Sequence, residues 1–121
     1  MRVVLVVDDD DTIRGVIRAV LEADQFRVVE APDGETALSM LDNWAEGDGP
    51  EIVVLDVMMP GIDGIEVCRR IDHGSMRVLM LTARDDAETQ QASKDAGAAD
   101  FLAKPFSAVE LLDAVEALVR S

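Results

Sequence analysis

Short apolar runs alternate along the chain with longer segments of helical period. Val3 to Val7, Phe26 to Val29, Ile52 to Leu55 and Val78 to Leu81 are each too short for a helix and rich in β-branched residues, which predicts strands. Phe101-Leu102-Ala103 is a weaker fifth run, read as a strand from its place in the alternation. The first, third and fourth runs are apolar at nearly every position, as parallel strands buried on both faces are, so they belong in the middle of a sheet. Between the runs, four apolar stripes recur at helical spacing: Ile13, Ile17, Val20 and Leu21; Ala37, Leu38 and Leu41; Ile65, Cys68 and Ile71; Leu111, Leu112, Val115 and Leu118. A further helix is predicted over Asp85 to Ala96; its apolar residues are only alanines, so it buries little area and should be held weakly.

Boundary signals agree with this division. Asp33 before Thr36 is a candidate N-cap, Asp10 or Asp11 caps the first helix, and Ser107 with Glu110 forms a capping-box pattern. Gly47 and Gly49-Pro50 are expected to close the second helix and Gly97 the fourth. Strands alternating with helices argue an α/β fold built on a mostly parallel sheet with right-handed crossovers. A chain of 121 residues, 49 % of them hydrophobic, suits one domain over 1–121.

Charge narrows the partners. With 11 Lys plus Arg against 25 Asp plus Glu, the formal charge is −14, so nucleic acid and anionic membrane surfaces are repelled. The run Val3 to Val7 is too short for a signal-peptide core, and no apolar stretch approaches the ~18 residues of a membrane span. The single Cys68 allows no internal disulfide, which fits a reducing compartment, and cytoplasmic residence is the expectation. Cys68 reads as packing, Trp44 likewise, and His73 as a solvated loop residue.

Parallel α/β sheets bind ligands beyond the carboxyl ends of their strands, so the residues at those ends carry the chemistry. Strand one ends in Asp8-Asp9-Asp10-Asp11, strand three in Asp56, strand four in Thr82-Ala83, and strand five runs into Lys104-Pro105. Carboxylates converging at one sheet edge repel one another unless a cation sits between them, and hard oxygen ligands suit Mg²⁺. A lysine and a metal beside them can neutralise a transferring phosphoryl group.

These segments resemble the response-regulator receiver domain of two-component signalling. The resemblance rests on Val6-Val7-Asp8-Asp9-Asp10, Leu55-Asp56-Val57-Met58-Met59-Pro60-Gly61-Ile62-Asp63-Gly64, Met80-Leu81-Thr82-Ala83 and Asp100-Phe101-Leu102-Ala103-Lys104-Pro105-Phe106, in that order over essentially the whole chain. It implies a CheY-like, flavodoxin-like (βα)5 sandwich with strand order 2-1-3-4-5. Asp56 would be the phosphoacceptor for a histidine kinase or phosphotransfer protein. Mg²⁺ would be held by Asp9 directly, by Asp8 mainly through water, by Asp56 and by the Met58 backbone carbonyl. Thr82 and Lys104 would contact the phosphoryl group, and Thr82 with Phe101 would form the switch. The switch would act on an output domain or partner through the face of the fourth helix, fifth strand and fifth helix. A cis Lys104-Pro105 bond is also implied, and so is slow self-hydrolysis, tuned at Met58 and Arg84, rather than dedicated enzymatic turnover. Kinase recognition is expected on the first helix at Ile13, Arg14, Ile17 and Arg18.

Gln90, Ala99, Asp113 and Glu116 depart from the charge pattern of receivers fused to winged-helix DNA-binding domains, which argues against dimerisation through that face. The sequence ends just past the last helix, as in a stand-alone regulator or a receiver cut from a longer protein. The main alternative is a haloacid-dehalogenase-like phosphatase, since Asp8, Asp10 and Thr12 fit Asp-x-Asp-x-Thr with Asp8 as nucleophile. A flavodoxin-like FMN carrier would need a phosphate-cradling loop after strand one, where this chain has aspartates.

Overall fold

The computed structural model describes residues 2–44, 49–83 and 86–120. Among the described residues five strands and five helices alternate: β1 (Val3–Val7), α1 (Asp11–Ala23), β2 (Arg27–Ala31), α2 (Gly34–Asp42), β3 (Ile52–Asp56), α3 (Gly64–Arg70), β4 (Arg77–Ala83), α4 (Ala87–Asp95), β5 (Asp100–Lys104) and α5 (Ala108–Arg120). All strand pairings are parallel and the order is β2-β1-β3-β4-β5, so β1, β3 and β4 are interior, as their unbroken apolar runs predict.

Alternate residues of the interior strands feed two separate cores. Leu5, Val7, Val53, Leu55, Val78 and Met80 point to the side covered by Ala37 of α2 and Val67 and Cys68 of α3. Val4, Val6, Ile52, Val54, Leu79 and Leu81 point to the other, covered by Ile17 and Leu21 of α1 and Leu111 and Val115 of α5. Both faces of the sheet are thereby buried.

Local chemistry sets the ends. Asp10 caps α1, its carboxylate accepting from the Thr12 and Ile13 amides at 2.8 and 3.2 Å. Asp33, Asp63 and Asp86 cap α2, α3 and α4 in the same way. At α5 the capping box is reciprocal: the Glu110 amide donates to Ser107 Oγ at 3.1 Å and the Ser107 amide to Glu110 Oε1 at 2.9 Å. Gly97 follows α4 with φ +108, and a Cβ there would lie 2.6 Å from His73 Nε2.

Three expectations shift. α2 ends at Asp42 with Asn43 as C-cap rather than at the glycines, because Asn43 Nδ2 donates to Ser39 O at 2.8 Å and satisfies a terminal carbonyl; Gly47 lies outside the described residues. β2 begins after Phe26 and runs on through Glu30, whose half-buried carboxylate is neutralised by Arg14 and Arg18. α4 begins at Ala87 behind its cap, and Asp85, like Arg84, lies outside the described residues. His73 is exposed, yet its Nε2 sits 2.7 Å from Cys68 O, so the ring ties its turn back to α3. Cys68 is buried packing, as read from the sequence, and burial pushes its thiol up to about 11. No helix among the described residues is long and apolar enough to cross a membrane.

Candidate functional site

The carboxyl ends of β1, β3, β4 and β5 share one edge of the sheet, and the candidate residues meet there. Asp8, immediately after β1, is fully buried; Asp9 is exposed; Asp56 closes β3 and is 5 % exposed. One carboxylate oxygen from each of the three lies within 4.8 Å of the others. Lys104 at the end of β5 reaches across, its Nζ 3.1 Å from Asp8 Oδ2 and 3.4 Å from Asp56 Oδ2. These residues line an open cavity of about 400 Å³ together with Asp10, Ile13, Met58, Leu81, Thr82 and Ala83.

Thr82 belongs to β4, and its Oγ1 is buried without a hydrogen-bond partner among the described residues. A buried hydroxyl left unsatisfied carries a free-energy cost, which a ligand oxygen in the cavity would relieve. Met58 leaves β3 with a 76 % exposed side chain, while its amide donates to Asp56 Oδ1 at 3.2 Å. Phe101 is half-buried on β5 beneath the Lys94 ammonium, 5.2 Å from the ring centroid. The Lys104-Pro105 bond is cis.

Burial and like charge act together on Asp56. Burial first, and then the neighbouring Asp8 carboxylate, push the Asp56 carboxyl up to about 6, against the opposing pull of Lys104. Burial alone would lower the Lys104 ammonium, but attraction to Asp56 and Asp8 outweighs it and leaves Lys104 raised. A site with more carboxylate than ammonium, lined by hard oxygens and open to water at Asp9, fits Mg²⁺.

The phosphatase alternative fares poorly at the same atoms. Asp8 and Asp56 are alike in burial and in having both oxygens engaged, Asp8 by the Asp10 amide and Lys104 and Asp56 by the Met58 amide and Lys104, so it is Asp10 that separates the two readings. Asp10, the acid in that scheme, is occupied as the α1 cap. Two of the four residues expected to contact a kinase are also reassigned. Ile17 is fully buried in the core and offers no surface, because it lies on the same apolar stripe as Leu21. Arg14 is drawn inward, its Nη1 donating to Asp8 O at 2.8 Å and its Nε to Glu30 Oε1 at 3.2 Å. Ile13 is half-buried at the cavity wall and Arg18 is exposed.

Gly64 closes the motif that runs from Leu55, but the sequence attached no role of its own to it. A Cβ there would lie 2.1 Å from Asp56 O, so the loop after β3 folds back onto the phosphoacceptor candidate only with glycine at that point. Its place directly behind Asp63, which caps α3, marks a helix start rather than a close approach.

Comparison with known proteins gives the family to which the fold belongs. A family model described as the response regulator receiver domain matches residues 4–116. Response regulator MprA of Mycolicibacterium vanbaalenii is 44 % identical over 119 residues, covering 97 % of this chain and 50 % of its own length. Among solved structures, the chemotaxis protein CheY4 of Vibrio cholerae superposes with a TM-score of 0.87 at 31 % identity, covering 98 % of both chains. NtrX from Brucella abortus, in complex with ADP, superposes with a TM-score of 0.88 at 30 % identity, covering 99 % of this chain and 27 % of that one. The chain belongs to the response regulator receiver domain family, which is a signalling domain of two-component systems rather than a dedicated enzyme. It spans about half the length of the curated relatives it matches.

Proposed function

We propose that residues 1–121 form one receiver domain in which Asp56 accepts a phosphoryl group from the phosphohistidine of a kinase or phosphotransfer protein. The observation that carries this reading is the meeting of Asp8, Asp9, Asp56, Thr82 and Lys104 at a single sheet edge, with Lys104 Nζ 3.4 Å from Asp56 Oδ2. An Asp56 oxygen attacks phosphorus, the new P–O bond forms as the P–N bond breaks, and the electron pair leaves with the histidine nitrogen. Lys104 and the Thr82 hydroxyl receive the phosphoryl oxygens, which gives the orphaned Thr82 Oγ1 its partner. Mg²⁺ held by Asp8, Asp9, Asp56 and the Met58 carbonyl would offset the negative charge that gathers there.

The same movement of Thr82 supplies the signal. Drawn toward the phosphoryl group, Thr82 vacates space for Phe101, and the α4-β5-α5 face changes shape for an output domain or partner protein. Reversal is slow self-hydrolysis, with the exposed Met58 side chain at the cavity mouth hindering water. Action in the cytoplasm is in keeping with the buried, unpaired thiol of Cys68.

Labelled phosphoramidate with Mg²⁺, which presents the same P–N bond as phosphohistidine, tests the assignment. An acid-stable, hydroxylamine-labile label that disappears in Asp56→Asn is expected. Full labelling of that variant would contradict it.

A further inference from the structure

We propose that Arg14 is a positioning residue for the cation site, pinning the backbone at Asp8 so that Asp8 and Asp9 converge with Asp56; this rests on the magnesium reading above. Arg14 lies in α1, yet its side chain is only 13 % exposed, and each of its three guanidinium nitrogens has a partner. Nη1 donates to the main-chain oxygen of Asp8 at 2.8 Å, Nε to Glu30 Oε1 at 3.2 Å, and Nη2 pairs with Asp11. Glu30, on β2, is itself gripped by Arg18 Nη1 at 2.7 Å. The hydrogen bond from Arg18, then that from Arg14, hold the Glu30 carboxyl below the ordinary range, so the anchor stays charged at neutral pH.

The consequence for the site follows from the planarity of the peptide. The Asp8 carbonyl and the Asp9 amide share one rigid plane, so fixing Asp8 O fixes the direction in which the chain enters Asp9. Asp8 has further anchors on its carboxylate, in the Asp10 amide and Lys104. The Asp9 carboxylate is exposed and takes part in no hydrogen bond or ion pair among the described residues, so its aim comes from the backbone. Arginine suits the task because its planar fork reaches one carbonyl and two carboxylates at once, which the single ammonium of a lysine does not reproduce.

Charge and geometry predict opposite signs, which makes the inference testable. Removing a positive charge beside an acidic site should tighten cation binding if charge alone matters. Loosening the Asp8 peptide should weaken it, in the manner of an outer-shell ligand support. Magnesium chloride is titrated calorimetrically into the full chain, alongside the amide signals of Asp9 and Asp10 in metal-free protein. Arg14→Gln is expected to raise the Mg²⁺ Kd by about tenfold and to shift those amide signals. Arg14→Lys should fall between it and wild type. Arg18→Gln removes a like charge from Glu30 but leaves the Arg14 bond to Asp8 O in place, and should bind magnesium more tightly than Arg14→Gln does; equal weakening by the two variants overturns the inference.

Arg14→Gln binding as tightly as wild type, or tighter, overturns the inference. If that variant does not fold, the charge-conserving Arg14→Lys decides, and unchanged affinity there overturns it equally. A wild-type chain with no magnesium affinity overturns the proposed function and the positioning role together; normal wild-type affinity with indifferent Arg14 variants overturns the positioning role alone.

Discussion

Asp56 and Asp8 share a buried corner with one ammonium between them, and the imbalance sets a pH dependence. The folded Asp56 carboxyl titrates at about 6 against an ordinary value of 3.8, so between those limits the native state holds more protons than the unfolded chain. Its contribution to stability is therefore greatest in acid and is lost as pH rises through about 6. Metal-free Asp56→Asn should be more stable than wild type at pH 7.5 by about 1–3 kcal/mol, and the difference should vanish near pH 4. Added Mg²⁺ should close the gap by stabilising the wild type. Denaturant unfolding of both proteins in chelator and in Mg²⁺ checks this; a variant less stable at neutral pH without metal would count against the crowded-carboxylate account. The acidic, hydroxyl and ammonium members of this site were legible because each stands at the end of an apolar run. The structural roles of Arg14 and Gly64 were not, since helical period does not reveal an arginine drawn back onto a carbonyl, nor does a motif reveal a Cβ-free approach.

Among the elements, α4 stands apart. Ser93 is its one buried residue, and that side chain spends its hydroxyl on Thr89 O at 2.8 Å within the same helix. α1 and α5, by contrast, insert Ile17, Leu21, Leu111 and Val115 into the core. Hydrogen exchange should release α4 amides at least about tenfold faster than those of α1 or α5, as expected where few apolar groups hold an element. Equal protection would remove the basis for treating α4 as the element that phosphorylation moves. The weak helix was visible in its alanine-only pattern. The extent of β2 was less so, because Glu30 interrupts the apolar run and is tolerated there only through Arg14 and Arg18, from a helix earlier in the chain. Likewise, α2 stops at Asn43, whose side chain caps it by donating to Ser39 O.

For the whole molecule, alternation and two-sided burial sufficed for a parallel sheet with β1, β3 and β4 inside, and the family resemblance supplied the strand order that the pairings display. Sequence pattern also placed Asp8, Asp9, Asp56, Thr82 and Lys104 at one edge, since a parallel sheet puts every strand's carboxyl end on the same side. The distribution of the formal charge of −14 was not readable in the same way: α1 and β2 consume part of it in ion pairs, while the site keeps Asp8, Asp9 and Asp56 against Lys104. The account stands on which of those carboxylates carries the phosphoryl group. Borohydride reduction of the phosphorylated protein, followed by peptide mass spectrometry, converts a phosphorylated aspartate to homoserine and marks its position. Homoserine at residue 56 is the result predicted; homoserine at residue 8, or at no aspartate, would contradict the account.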